Sequence, residues 1–238
     1  MQNSISTRIA CMALVMLIMV MALPAAAQVT PRASVNLMMG VPVGEFADNV
    51  DNLGFGIALN GGIGLSPAPV MIGVDLGYLI YGYERRSEPF STTIPDVTVD
   101  VETTNSIAFG HLFLRFQPQT GAFQPYAEAL FGFKYLFTRT SVENRQSSES
   151  IAASVNFDDF ASSYGFGGGL DIRVFQGVND NSRPFSIMVN LGARYLLGGS
   201  AEYLERGSTG RENGELSFDI TRSRTDLVLP QLGATFVF

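Results

Sequence analysis

The sequence is poor in the residue types from which most metal and catalytic sites are built. Its 238 residues contain one cysteine, one histidine and no tryptophan, and Lys134 is the only lysine. This composition excludes a disulfide framework and a zinc site of several cysteines and histidines. It also excludes a phosphate-binding loop, because Phe133 and not a glycine stands directly before the lysine. The sequence therefore predicts no cofactor, no metal site and no enzymatic activity.

Charged side chains are scarce as well. They make up 16% of the residues, against roughly 25% in a typical soluble domain. The formal net charge is −7. Because a nucleic-acid partner requires a basic surface, this charge balance argues against nucleic-acid binding.

Long apolar runs are nearly absent, and the one clear run lies at the amino terminus. It spans residues 9–23, follows Arg8 and precedes Pro24 and three alanines. The run is shorter than the ~20 apolar residues that a membrane helix needs. A charged start, a short apolar middle and a small-residue exit are typical of a secretory signal peptide. We expect residues 1–27 to be cleaved near Ala27, which leaves residues 28–238 without a cysteine.

The rest of the chain alternates between apolar and polar or small residues, which is the period of a β-strand. In residues 126–137, one face carries Phe131, Phe133, Tyr135 and Phe137, and the other carries Glu128 and Lys134. Turn-forming residues divide this pattern into eight predicted strands. Their spans are 33–43, 54–65, 70–84, 104–117, 124–140, 162–176, 185–199 and 223–238.

The connections between these strands alternate in length. Residues 66–69, 118–123 and 177–184 are short and rich in turn formers, whereas residues 85–103, 141–161 and 200–222 are long, polar and acidic. Short turns at one end and long loops at the other are typical of a bacterial outer-membrane barrel. In lipid, a sheet can pair every backbone group only by closing on itself. We predict that residues 28–238 form one eight-stranded antiparallel up-and-down transmembrane β-barrel.

A soluble lipocalin-like barrel would place the aromatic face inside instead, and two further features favour the membrane barrel. The first is a pair of aromatic girdles, one near the long loops and one near the short turns. The predicted girdle residues are Tyr81, Tyr83, Tyr135, Tyr164 and Tyr195 near the loops, and Phe116, Phe123, Tyr126, Phe185 and Phe238 near the turns. The second is the alternating final segment, residues 232–238, which carries Phe236 and Phe238.

Residues 28–238 as a whole resemble the small outer-membrane β-barrel superfamily, which includes the barrels of outer membrane proteins A, X and W. The resemblance rests on the strand and loop pattern, on residues 40–56 and on the final strand. It implies a bacterial outer-membrane location, contact with outer-membrane lipid and lipopolysaccharide, and a monomeric barrel. It also implies that the barrel-assembly machinery reads Phe236 and Phe238.

If the apolar faces meet lipid, the polar faces line the lumen, and eight strands leave room for little more than side chains. The predicted lumen residues are Asp75, His111, Arg115, Glu128, Lys134, Asp171, Arg173 and Arg194. These ions must pair, because burying an unpaired charge is costly. We therefore expect a largely plugged barrel with a structural or surface-binding role, exerted through three long acidic loops whose ligand the sequence does not indicate.

Two other functions stay open at this point. One is a narrow channel for small hydrophobic or ionic solutes, like outer membrane protein W. The other is a lipid-modifying barrel enzyme that uses His111, which would need a serine and a carboxylate nearby. The residues next to His111 in sequence offer no such serine.

Overall fold

The computed structural model describes residues 28–91, 94–144, 150–178, 184–212 and 215–238. The predicted signal peptide, residues 1–27, lies outside the described residues. No helix in the described part of the chain is long and apolar enough to cross a membrane. The elements are β1 Gln28–Pro42, α1 Glu45–Asn49, β2 Gly54–Ser66, β3 Val70–Ser91, β4 Ile94–Phe116, β5 Phe123–Asn144, β6 Ser150–Val178, β7 Pro184–Gly198, β8 Ser200–Glu212, β9 Glu215–Arg224 and β10 Leu227–Val237.

Eight of these strands form a closed antiparallel barrel in the order β1, β10, β7, β6, β5, β4, β3, β2. The ring closes where β1 pairs with β10, for example at Leu37 and Leu232. Strands β8 and β9 pair only with each other, as a separate hairpin. Closure leaves no strand of the ring with an unpaired edge, which is the condition for a sheet in lipid. The predicted eight-stranded antiparallel barrel is confirmed.

The two ends of the barrel differ. The end that carries α1 and the hairpins β3–β4, β5–β6 and β8–β9 is called the hairpin end below. The opposite end, where β2, β4 and β6 end, is called the turn end. Strands β3 to β6 have 22 to 29 residues each, so the hairpins extend the barrel wall well past the predicted strand ends.

The long connections were predicted as loops, and that prediction is wrong in its secondary structure. Residues 97–104 read Val-Thr-Val-Asp-Val-Glu-Thr-Thr and belong to β4. Their β-branched side chains favour an extended backbone despite the acidic residues between them. The predicted last strand, residues 223–238, is likewise two elements, because β9 ends at Arg224 and β10 begins at Leu227.

The barrel wall is apolar outside and polar inside. Phe131 is 68% exposed, Leu37 65% and Leu112 64%, whereas Asp75 and Lys134 are fully buried. A soluble protein buries its large apolar side chains and exposes its ions. The reversed pattern is that of a barrel whose outer face meets hydrocarbon.

The mouth at the hairpin end is covered by an apolar cluster. Gly44 adopts a φ of 60°, a left-handed conformation open to glycine, and turns the chain into α1. The helix thereby buries Phe46 completely, with its ring centroid 5.7 Å from that of Tyr81 and 5.3 Å from that of Tyr203 on β8. The backbone N–H of Arg224 on β9 donates to Glu45 Oε2 over 3.1 Å. Helix α1 and the β8–β9 hairpin therefore close this end together.

Candidate functional site in the barrel lumen

Seven of the eight predicted lumen residues are buried in the barrel interior. Arg173 shares their inward face, because it pairs with the buried Met188, but it is half-buried at the turn end and donates from Nη1 to Gln176 Oε1 over 3.1 Å. A β-bulge between Arg173 and Phe175 interrupts the alternation of β6 only after this residue. The seven buried residues are Asp75, His111, Arg115, Glu128, Lys134, Asp171 and Arg194.

Four of them form a continuous chain of ion pairs, called the lumen ion chain below. Arg115 donates to Glu128 Oε2 from Nε over 2.9 Å and from Nη2 over 2.8 Å. Arg194 Nε donates to Glu128 Oε1 over 2.7 Å, and Arg194 Nη1 donates to Asp75 Oδ1 over 3.0 Å. Two guanidinium groups thus face two carboxylates, and the chain is neutral overall.

This ion chain crosses the full width of the lumen. Arg194 lies on β7 and Asp75 lies on β3, and these strands are four places apart in the ring of eight. They are therefore on opposite walls. Glu128 on β5 and Arg115 on β4 tie the chain to the wall between them.

Polar and aromatic side chains contact the residues of the lumen ion chain. Asn60 on β2 donates to Asp75 Oδ1, and Asn36 on β1 donates to Asn60 over 2.7 Å. The guanidinium carbon of Arg115 lies 4.1 Å from the ring centroid of Tyr126, within the range of a cation–π contact. Such hydrogen bonds and ring contacts offset part of the desolvation cost of the buried charges.

A second polar layer lies nearer the turn end. Asp171 accepts from Gln117 Nε2 over 2.6 Å and from Asn190 Nδ2 over 2.7 Å. Arg32 Nη1 donates to Gln124 Oε1 over 2.9 Å. Of these residues only Asp171 was predicted. The alternation of β1 did contain the signal for Arg32 and Asn36, because both occupy its inward positions.

Lys134 lies between the lumen ion chain and the apolar mouth. Its Nζ donates to the backbone carbonyl oxygens of Thr225 and, over 3.4 Å, of Leu196. The charged lumen residues were expected to pair with one another, and the Lys134 ammonium instead donates to backbone carbonyls. Lys134 therefore joins β5 to the segment between β9 and β10, which carries the cover of the barrel mouth.

His111 lies between a serine and a carboxylate. Its Nε2 is 2.9 Å from Ser163 Oγ on β6, and its Nδ1 is 3.5 Å from Asp75 Oδ2. The sequence could not show this serine, because it lies 52 residues away along the chain. All three side chains are buried in the polar interior, and Asp75 also binds Arg194 and Asn60. A substrate would have to displace this network to reach Ser163.

Two predicted girdle residues point into the barrel, so their predicted outward orientation is wrong. Tyr81 is 3% exposed because it continues the inward face of β3 that carries Asp75 and Leu79, and a β-bulge between Ile80 and Gly82 then places Tyr83 on the outer face. Tyr126 is 6% exposed and shares the inward face of β5 with Glu128. The other predicted girdle residues are exposed or half-buried on the outer wall, namely Tyr83, Tyr135, Tyr164 and Tyr195 near the hairpin end and Phe116, Phe123, Phe185 and Phe238 near the turn end.

The final strand places its two phenylalanines at the turn end. The ring centroid of Phe185 on β7 is 6.5 Å from that of Phe236 and 5.6 Å from that of Phe238. The backbone N–H of Phe238 donates to Pro31 O over 3.0 Å. Both residues therefore lie at the seam where β10 completes the ring.

The β3–β4 hairpin carries paired charges, in which an exposed arginine contacts a buried and a partly buried carboxylate. Arg85 Nη2 is 2.8 Å from Asp100 Oδ2, and Arg85 Nη1 is 3.3 Å from Glu102 Oε1. The hydrogen bond to Asp100, with the charge of that carboxylate, raises the pKa of Arg85 above its ordinary value. The Tyr83 hydroxyl donates to Glu102 Oε1 over 2.8 Å.

No protein-family model matches the chain, and no curated protein matches it in sequence. Three solved structures of small outer-membrane barrels are similar to it in fold, each with 12% sequence identity. Neisserial surface protein A has a TM-score of 0.35, covering 89% of this chain and 97% of that one. The attachment invasion locus protein of Yersinia pestis, in complex with the heparin analogue sucrose octasulfate, has a TM-score of 0.35, covering 89% and 99%. A major outer membrane protein of Thermus thermophilus has a TM-score of 0.38, covering 87% and 99%.

Proposed function

We propose that the chain is an integral bacterial outer-membrane protein with a closed lumen and a structural or surface-binding role. The barrel crosses the membrane as a monomer, surrounded by outer-membrane lipid and lipopolysaccharide, and the three hairpins face the outside. The barrel-assembly machinery reads the final strand through Phe236 and Phe238. The protein has no cofactor and no nucleic-acid partner.

The outer wall supports the membrane location. Large apolar side chains of all eight barrel strands are exposed there, including Phe55, Leu76, Phe166 and Leu191. Contiguous apolar surface of this kind is rare on a soluble monomer and marks contact with a partner or a membrane. Because the apolar surface runs around the whole ring, hydrocarbon is the occupant that fits it.

The observation that carries the closed lumen is the contact between Arg194 and Asp75. It joins opposite walls, and Glu128 and Arg115 continue it. The polar layer around Asp171 lies on the turn-end side of the lumen ion chain. On its hairpin-end side, Phe46 and Tyr203 cover the mouth. The remaining functional surface is then the exposed part of the hairpins, which fits a role in display or binding.

A narrow channel is the alternative that the lumen chemistry favours next, since its interior is polar along most of its length. The enzyme alternative has one favourable observation, the contact between His111 and Ser163. Burial of both groups argues against it, because acyl transfer requires a substrate carbonyl beside the serine.

Single-cysteine variants test the membrane orientation. Residues 28–238 contain no cysteine, so Ser87→Cys in the β3–β4 hairpin and Thr120→Cys in a short turn each introduce one exposed thiol. A membrane-impermeant maleimide added to intact cells should label Ser87→Cys alone. Both variants should react after the cells are lysed. Labelling of Thr120→Cys on intact cells, or a protein that remains soluble and monomeric without detergent, would contradict the proposal.

A further inference from the structure

Strand β6 extends past its neighbour on one side. It spans Ser150–Val178 and pairs with β5 from Ser150 onward, but it pairs with β7 only from Ser163 onward. Strand β7 ends at Gly198, opposite Ser163. Among the described residues, no strand pairs with the β7 side of residues 150–162. These residues therefore form an open edge of the sheet at the hairpin end.

The part of this edge nearest the barrel is covered by other groups. The backbone N–H of Gly199 donates to Ser162 O over 2.7 Å. The N–H of Phe160 donates over 2.8 Å to one carboxylate oxygen of Asp159. The other oxygen accepts from the N–H of Glu202 on β8, also over 2.8 Å. At Phe160 a side chain thus takes the place that a neighbouring strand would occupy.

Beyond these contacts, residues 150–158 form the free part of the edge, called the β6 edge below. Natural sheet edges usually carry charges or prolines, which block the addition of another strand. Residues 150–157 read Ser-Ile-Ala-Ala-Ser-Val-Asn-Phe and contain no charged residue, no proline and no glycine. The β6 edge therefore lacks this protection.

The opposite edge of the same extension is protected. Strand β3 makes its last pair with β2 at Ile80 and continues beyond it. In that continuation, residues 84–89 contain two glutamates, two arginines and a proline. Of the two edges, the β6 edge is the one that favours pairing with another strand.

The pairing register shows which backbone groups of the β6 edge are free. Successive residues of a strand direct their N–H and C=O groups to opposite neighbours. Ser162 and Phe160 direct theirs away from β5, and each lies opposite an odd-numbered residue of β5. Val155 and Ala153, beyond the bulge in β6, also lie opposite odd-numbered residues of β5, which itself pairs with β4 without a register shift. Their N–H groups therefore point to the open side.

The occupant that fits this edge is an extended polypeptide that is not a second copy of this chain. Only another extended backbone offers donors and acceptors at the spacing of a strand. Two identical edges pair symmetrically only when they are antiparallel, whereas copies in one membrane all run β6 in the same direction. Asp158 is exposed, and Glu149 stands at the other border of the uncharged run in the sequence, so basic partner residues are favoured there.

We propose that the β6 edge binds a polypeptide segment from outside the cell as an added antiparallel strand. The segment is short and rich in β-branched residues, with a lysine or arginine at each end. Its backbone pairs with Val155 and Ala153, and one basic end contacts Asp158. The inference rests on the proposed function, because the edge meets such a partner only if the hairpin end faces outward.

The probe is a fluorescent synthetic peptide with blocked ends and the sequence Lys-Thr-Val-Thr-Val-Thr-Lys. One control peptide carries N-methyl groups on all residues between the lysines, which removes the backbone donors and keeps the charge. A second control has glutamate in place of both lysines. Fluorescence anisotropy measures binding to the folded protein in a non-ionic detergent. The basic peptide should bind at least roughly tenfold more tightly than either control.

Four variants locate the site. Val155→Pro and Ala153→Pro each remove one N–H on the open side and leave the ladder with β5 intact, because proline is tolerated where the N–H of an edge strand faces solvent. Each should weaken the basic peptide about tenfold. Ala153→Ser keeps the N–H and should change nothing. Asp158→Asn should weaken the basic peptide about threefold and should not weaken the glutamate peptide.

Hydrogen exchange of the wild-type protein gives a readout that needs no variant. The basic peptide should slow amide exchange in residues 150–158 and leave residues 84–89 of β3 unchanged. Folding of each variant is verified by the migration difference between unheated and boiled samples.

The inference is wrong if the basic and the N-methylated peptides bind the wild-type protein equally, or if binding slows no exchange in residues 150–158. It is also wrong if both proline variants fold and bind the basic peptide as tightly as the wild type. Because binding is measured in detergent, it is independent of orientation. The cysteine-labelling experiment therefore fails or succeeds separately, and the two outcomes identify which proposal is wrong.

Discussion

Replacement of Glu128 by alanine probes the lumen ion chain most directly, because both of its carboxylate oxygens are occupied. Oε2 accepts two hydrogen bonds from Arg115, and Oε1 accepts one from Arg194. After the replacement, Arg194 keeps Asp75 at 3.0 Å. Arg115 keeps only ring contacts with Phe113 and Tyr126 among its described partners.

The expected cost follows from the burial of the two arginines. Their side chains are 3% and 1% exposed, and removal of one partner from a buried ion pair costs about 3–5 kcal/mol. We therefore expect Glu128→Ala to lower the free energy of unfolding by about 3–5 kcal/mol. The matched control is Glu84→Ala, whose partner Arg86 is 36% exposed, and which should cost at most about 1 kcal/mol.

The assay is urea unfolding in lipid vesicles, followed by the difference in gel migration between unheated and boiled samples. Glu128→Gln is a useful intermediate, because the amide keeps an acceptor for one arginine and loses the charge. A Glu128→Ala protein as stable as Glu84→Ala would refute the reasoning. It would mean that water already screens the arginines and that the lumen is hydrated.

Four further changes test other parts of the account. Phe131→Arg on the outer wall should cost about 2–4 kcal/mol if the residue lies near the membrane midplane, and no cost would mean that lipid does not cover this face. Phe46→Ala should cost about 3–5 kcal/mol by leaving a void in the mouth cover, yet should not create ion conductance. Ser163→Ala should cost about 1 kcal/mol for one hydrogen bond, and a fluorophosphonate should not label the wild-type serine; labelling would favour an enzyme. Arg85→Ala should lower stability more than Glu84→Ala does, because it removes an ion-pair partner from Asp100, whose side chain is 6% exposed.

The barrel could be predicted because a strand has a period of two and the outer wall faces a solvent that accepts only apolar groups. Residues 131–137 show both properties in one segment, and the structure places Phe131 and Phe133 outside and Lys134 inside. The same period placed Tyr126 inside with Glu128. Tyr126 was assigned to a girdle because it is aromatic. Its inward position in the alternation of β5 was the better guide.

The error at Tyr81 has the same cause, because the period places Tyr81 on the inner face with Asp75 and Leu79. The outward position of Tyr83 is a different matter. A bulge adds one residue to a strand without a distinct sequence signal, so residues on either side of it no longer share one alternation. Tyr81 and Tyr83 therefore face opposite ways although they are two residues apart, and the period alone could not show the orientation of Tyr83.

Contacts across the lumen could not be predicted either. The period assigns a residue to the inner face, but the partner across the barrel depends on the strand order and on the stagger between strands. Arg194 and Asp75 are 119 residues apart, and Lys134 and Thr225 are 91 residues apart. Only the closed ring shows that the first pair spans its diameter.

The closed lumen is the central claim, and ion conductance of the refolded wild-type protein in a planar bilayer tests it most directly. Because Arg194 and Asp75 join opposite walls and Phe46 covers the mouth, we predict no current steps above the baseline of the protein-free bilayer. Insertion is verified in the same sample by the migration difference between unheated and boiled protein. Regular single-channel steps from wild-type protein, with an ion selectivity that Arg194→Ala changes, would contradict the closed lumen and establish a channel.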